Sequence, residues 1–311
     1  MPLPYEIRDM NVRSLGAMLA DSAAQWSDHR AASKGAALAL YMVFSLAPIL
    51  ILVIAVAGFF FGEEAVQSQL VAQLRDLTGE RSAEVIQTVL ASAHESDSGR
   101  IAALVSIGVL IFSATTAFAE LQASLDELWE VPKQSQPAGL IGFVKARFLS
   151  FGVVLVLGLF LLISLTVNAG LAAAKAYYGA LWASSAFATT AGIIANLFSF
   201  FVITMLFAVI FKMLPSARMV WRDVIPGAIV TAGLFLLGKW GIGLYLANGA
   251  AADAYGAAGS VVLLLLWIYY SAQIFFFGAV VTRQFAERFG TQAHFQRKIA
   301  REDFDPYADL D

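Results

Sequence analysis

Apolar positions along this chain gather into six long runs separated by polar stretches. Each run is long enough to cross a hydrocarbon core of about 30 Å at about 1.5 Å of helical rise per residue. The expected spans are Ala36–Phe61, Ile101–Phe118, Phe143–Leu171, Ser185–Phe211, Val224–Leu246 and Ala257–Thr282. Three polar segments carry a helical pattern of their own. Val12, Leu15, Leu19 and Trp26 share one face of a helix over about residues 13–27, which suits an interfacial helix with Trp26 at headgroup level. Between the first two runs, Val66, Leu70, Leu74 and Leu77 line one helical face. Val85, Ile86, Val89 and Leu90 line another after a break at Thr78-Gly79. This predicts two amphipathic helices lying on the outer leaflet. After the second run, Leu121, Leu125, Leu128 and Trp129 recur at helical spacing with acids opposite, up to Val131-Pro132. This predicts an amphipathic elbow at the inner interface.

Composition agrees with the bilayer as main solvent. Of 311 residues, 59% are hydrophobic and 14% charged, against about 45–50% and about 25% in soluble domains. Mean hydropathy is +0.73. The first apolar run is too long for the core of a secretory signal and lacks a small-residue cleavage site. Lysine and arginine set the expected orientation. Fifteen fall on the side of the N-terminal flank, the second and fourth loops and the tail, and four on the other side. Both termini are therefore expected in the cytoplasm. Residues 1–34 form the N-terminal helix, 35–285 the six-helix membrane domain with an external loop over 62–100, and 286–311 a flexible cytoplasmic tail.

Charge and residue types exclude several chemistries. A net charge of −3 gives no overall basic field for nucleic acid. With no cysteine there is no disulfide, thiolate catalysis or Cys-based metal site. His29, His94 and His294 stand apart and outside the spans, so no catalytic residue, metal site or cofactor is expected and the chain is not read as an enzyme. No phosphate-binding loop of the G-x-x-x-x-G-K-[ST] type occurs.

The informative residues are polar side chains inside the apolar runs. Lys239 lies fifteen residues after Val224, about 22 Å into the membrane by helical rise. One reading is a lysine that snorkels to the outer headgroups. The other is a cation facing a cavity and binding a carboxylate or phosphate, with Gly238 and Gly241 leaving room. Tyr269, Tyr270 and Gln273 sit near the midpoint of the last run, and Tyr269 and Gln273 share a face. They either hydrogen-bond within the bundle or line a path. Taken arm by arm, Lys239 falls in the outer half, about 10 Å along the normal from the Tyr269–Gln273 face. Tyr41 and Ser45 lie a turn apart in the first run, and Pro48 weakens the helix beside them, as a hinge, a half-helix break or a passive kink. The turn Tyr255–Ser260 contains Gly256 and Gly259, hinge candidates that equally serve close packing. Asn168 and Asn196 are read as hydrogen bonds within the bundle.

An ordered set of stretches resembles the YihY/virulence factor BrkB family of bacterial inner-membrane proteins, whose members were historically mislabelled ribonuclease BN. The set is Lys34–Tyr41 with Phe44–Pro48, Leu121–Trp129, Leu214-Pro215 with Trp221–Gly227, and Tyr255–Gly259 with Leu266–Ser271. The resemblance implies six membrane helices with both termini inside. It also implies links to transport across the inner membrane, including of lipid-like molecules, and to serum resistance. The isolated histidines contradict the nuclease label.

The fold expected is all-α and polytopic, with six transmembrane helices and additional interfacial helices. The function expected is an inner-membrane transporter or exporter of a lipid-like or anionic small solute, with the lipid bilayer as partner and without nucleic acid. The alternative is a non-transporting scaffold or regulator of envelope assembly. Substrate, direction, energy source and oligomeric state are not encoded legibly.

Overall fold

The structure, a computed structural model, describes residues 11–78, 80–94, 116–131, 185–217, 219–247 and 258–290. These residues are helical, with no strand among them. The helices are α1 (Val12–Asp28), α2 (Ala31–Phe61), α3 (Glu63–Thr78), α4 (Glu80–His94), α5 (residues 116–128), α6 (Ser185–Met213), α7 (Trp221–Ala247) and α8 (Gly259–Arg288). Stretches in α6, α7 and α8 are long and apolar enough to cross a membrane, and α2 carries a shorter apolar stretch, Ala31–Leu46, within its 31 residues. The expected span at Phe143–Leu171, most of that at Ile101–Phe118, and Gly256 lie outside the described residues.

Helix α8 is the spine: α7, α2, α1 and α4 all pack against it. The reason is in its sequence. Val280, Val281, Phe276 and Ala279 are almost wholly buried, so α8 is apolar over most of its circumference rather than on one stripe. Its junction with α7 is a reciprocal zipper. A Cβ at Gly227 would lie 1.8 Å from Thr282 Oγ1, and one at Gly278 would lie 1.7 Å from Thr231 Oγ1. Each threonine thus seats on the other helix's glycine. Each hydroxyl donates to the glycine carbonyl four residues back on its own helix, Thr231 to Gly227 at 2.7 Å and Thr282 to Gly278 at 2.8 Å. Small residues let the two backbones approach, and neither threonine hydroxyl is left unpaired in the apolar interface. Phe207 and Phe211 of α6, Phe235 of α7 and Phe275 of α8 fill the adjoining space with ring contacts of 5.1–6.2 Å.

Three expectations about the amphipathic segments are corrected. The α3–α4 pair does not lie free on a leaflet. Val66, Leu70, Ile86 and Leu90 bury against Leu50, Val53 and Ile54 of α2, Phe118 of α5 and Leu264 of α8. Gly62, at φ 86°, turns the chain back so that α3 returns along α2. Protein offers these apolar faces closer packing than lipid tails do. Trp26 likewise is no headgroup anchor: it packs against the main core, and α1 is tied to α8 by an Arg288–Asp21 ion pair. The α5 segment is also more than an elbow. Leu121, Leu125, Leu128 and Trp129 belong to the main core with Leu38, Phe211 and Phe276.

Candidate functional site

The zipper fixes the register of α7 on α8. Twelve residues on from Gly227 is Lys239, and twelve back from Thr282 is Tyr270. Both lie about 18 Å from the zipper's end by helical rise, so Lys239 and Tyr270 are level. The 10 Å separation expected from treating each arm alone is therefore wrong: α7 begins at Trp221 and α8 continues to Arg288, so neither arm's end marks the other's depth. The Tyr270 ring lies against Gly238, where a Cβ would meet its hydroxyl oxygen at 2.1 Å. Lys239, next in sequence, is half-buried and has no hydrogen bond or ion pair among the described residues. Beside it Trp240 and Leu237 are exposed.

Gln273 faces α2 rather than α7. Its Nε2 donates to the Ala32 carbonyl at 3.3 Å, over Gly35, where a Cβ would come within 2.0 Å of that nitrogen. Its Oε1 and the Ser271 hydroxyl are buried without a partner among the described residues, a state that costs about 1–3 kcal/mol unless water or a ligand supplies a bond. Tyr269 is half-buried one turn further from Gln273. Lys239, Tyr269, Tyr270 and Gln273 thus fall in one belt about 6 Å deep along the axis, but on different faces, Tyr270 against α7 and Gln273 against α2. Ser45 is buried on α2 about 9 Å further along the axis, and Tyr41 points to the exposed face. Helix α2 runs unbroken through Pro48, and Gly259 opens α8 as a buried residue. Asn196 lies on an exposed face of α6, not inside the bundle.

A second polar cluster was not anticipated. It lies where α1, α5 and α8 end and α2 and α7 begin, the basic end of the bundle. Arg283 of α8 donates to the Leu128 carbonyl at 2.9 Å and pairs with Glu130 at 2.8 Å and Glu287 at 2.6 Å. His29 Nε2 stands 3.3 Å from Glu130, and Lys34 pairs with Glu127 at 2.6 Å. Trp129 Nε1 donates to the Ala279 carbonyl at 2.9 Å. Buried Asp126 accepts from the Ser216 amide at 2.7 Å and its hydroxyl at 2.8 Å, which fastens the turn between α6 and α7. The Arg283 hydrogen bond holds the Glu130 carboxyl below the usual glutamate value, against the opposing effect of burial and with help from His29. Only the spacing of acids opposite the Leu121–Trp129 stripe hinted at this clamp.

Among the described residues no group of three His, Asp or Glu is placed to hold a metal ion. The chain matches the family model "Virulence factor BrkB" over residues 22–303. It belongs to that family. Among its relatives is a UPF0761 membrane protein of Pseudoalteromonas translucida, 25% identical over 246 residues, covering 79% of this chain and 78% of that one. A UPF0761 membrane protein of Stenotrophomonas maltophilia is 31% identical over 261 residues, covering 78% of this chain and 54% of its own length. One of Ralstonia nicotianae is 26% identical over 283 residues, covering 88% and 60%. The chain thus spans little more than half the length of several curated relatives. No solved structure matches it. A membrane protein is what these BrkB-family relatives and the apolar helices jointly establish.

Proposed function

We propose that this BrkB-family protein is a transporter or exporter in the bacterial inner membrane, acting on a lipid-like or anionic small solute without enzymatic chemistry. In this reading the chain crosses the membrane six times, with both termini in the cytoplasm. The observation that carries the reading is Lys239, a half-buried cation with no partner among the described residues, level with Tyr270. An uncompensated charge at membrane depth is costly and is kept where it meets a substrate. Tyr269, Tyr270 and Gln273 extend the polar surface, and the unpartnered oxygens of Ser271 and Gln273 give it spare hydrogen-bonding capacity.

The test is a lipid-scrambling or solute-flux assay on the full chain in liposomes. Lys239→Met should abolish flux of an anionic fluorescent phospholipid while leaving expression and melting unchanged. Equal flux in both proteins refutes the proposal. A second reading, a scaffold for other envelope proteins, draws on the way Tyr270 and Gln273 fill the space over Gly238 and Gly35. It requires no flux from either protein.

A further inference from the structure

At the basic end the α1–α2 joint, with Glu127 of α5, borders an open pocket of about 440 Å³, within the usual range of about 300–1,000 Å³ for ligand sites. It is lined by Asp28, His29, Arg30, Ser33, Lys34 and Glu127. The formal charges balance: Arg30 and Lys34 against Asp28 and Glu127. His29 is engaged with Glu130 and, through Nδ1, with the Gln25 carbonyl at 2.9 Å. A net-neutral pocket carrying both signs does not select a simple anion. It matches a ligand that carries both a phosphate and an ammonium.

The pocket opens onto an apolar track. Ser33, Ala36, Leu40 and Phe44 follow one another at helical spacing on one face of α2. All four are exposed, Leu40 to 51% and Phe44 to 72%. The pocket therefore sits at the foot of an exposed stripe that begins where α2 becomes apolar.

We propose that this pocket and stripe seat one zwitterionic glycerophospholipid with a primary ammonium, a phosphatidylethanolamine-type lipid. Binding exchanges the 2.6 Å Lys34–Glu127 ion pair for the headgroup: its phosphate lies with Arg30 and Lys34, its ammonium with Asp28 and Glu127, and an acyl chain runs along Leu40 and Phe44. A primary ammonium donates hydrogen bonds to carboxylates, which a quaternary choline cannot do. The proposal rests on reading the chain as a handler of membrane amphiphiles, but binding tests it without transport.

The experiment is native mass spectrometry of the purified full-length protein with equimolar palmitoyl-oleoyl phosphatidylethanolamine, phosphatidylglycerol and phosphatidylcholine. Retention of the ethanolamine lipid should exceed the others about fivefold, the yield of one charge-assisted hydrogen bond. The pair Asp28→Asn with Glu127→Gln should erase that preference and raise phosphatidylglycerol. Arg30→Asn should weaken all three phospholipids, and it preserves the fold because asparagine tolerates the left-handed conformation that Arg30 holds at φ 51°. Phe44→Ser should weaken the diacyl lipids but not soluble glycerophosphoethanolamine. Equal retention of the three lipids, an unchanged preference in Asp28→Asn/Glu127→Gln, or insensitivity to Phe44→Ser overturns the proposal. Selective retention without any flux overturns the transport reading alone.

Discussion

Glu130 ends α5 in a conformation that glycine normally occupies. Val131 donates to the Asp126 carbonyl at 2.8 Å and Glu130 to that of Glu127 at 3.0 Å, the paired bonds of a Schellman C-cap. The residue at its left-handed position is Glu130, at φ 50°. An L-residue there costs about 1–2 kcal/mol. Replacement by glycine removes that cost but returns about 0.4–1 kcal/mol through a freer unfolded chain, for a net gain of about 0.5–1 kcal/mol. Against it stands the loss of the contact to Arg283. The Glu130 side chain is 58% exposed, so solvent screens that contact to about 0.2–1 kcal/mol, and Arg283 keeps Glu287 and the Leu128 carbonyl. Glu130→Gly should therefore stay within about 0.5 kcal/mol of the parent. Glu130→Ala keeps the backbone cost, loses the pair, and should be the less stable of the two by about 0.5–1 kcal/mol. Glu130→Asn should fall between them. Equilibrium unfolding by SDS titration from mixed micelles reads all three. A glycine variant no more stable than the alanine variant would refute the argument that strain is held here for the sake of the ion pair.

Gly278→Ala should destabilise the α7–α8 junction by about 2 kcal/mol or more through the clash with Thr231, and Thr231→Gly in the same chain should recover much of it; the same unfolding titration gives the coupling. Trp129→Phe should cost about 1 kcal/mol by removing the indole hydrogen bond to the Ala279 carbonyl, which keeps its helical partner, measured as a lower unfolding midpoint. Because the folded-state pKa of Glu130 is depressed, its contribution to stability is present above the ordinary value of 4.5 and is lost as pH falls through the folded value. Parent and Glu130→Gln should therefore differ at neutral pH and converge below that window, and a gap that persisted at the lowest pH would contradict the assignment.

How much of this was legible in the sequence depends on whether a feature is periodic within one element or relational between two. The spans Ser185–Phe211 and Val224–Leu246 lie within α6 and α7 to a few residues, because apolar runs report directly on burial in a helix or bilayer. The α3 and α4 helices and their apolar faces were also legible, but not their seat: an amphipathic face does not say whether lipid or protein covers it. The zipper was half-written. Gly227-x-x-x-Thr231 and Gly278-x-x-x-Thr282 are small-residue motifs plain to see, yet only the register shows each threonine meeting the other glycine. The same register raises Tyr270 to the level of Lys239. The clamp was least legible, since Arg283 reads as an ordinary basic flank and joins Glu130 from 153 positions away only through the fold.

The packing also says which helix is free to move. Helices α7 and α8 are interlocked by two glycine–threonine seats, whereas α2 meets α8 across Gly35 with one long hydrogen bond from Gln273 and otherwise through non-interlocked apolar side chains such as Leu38 and Leu50. If the belt opens to a solute, the low-cost motion is α2 with α1 sliding against the α7–α8 pair, with the clamp's ion pairs exchanging for water. The chain has no cysteine, so a lock can be added without background. A Cβ at position 35 lies 3.0 Å from Gln273 Cδ, two bonds from its Cβ, which is within disulfide reach. Gly35→Cys with Gln273→Cys, oxidised, should stop flux, and reduction should restore it. Flux that survives the lock would place the moving part elsewhere than α2.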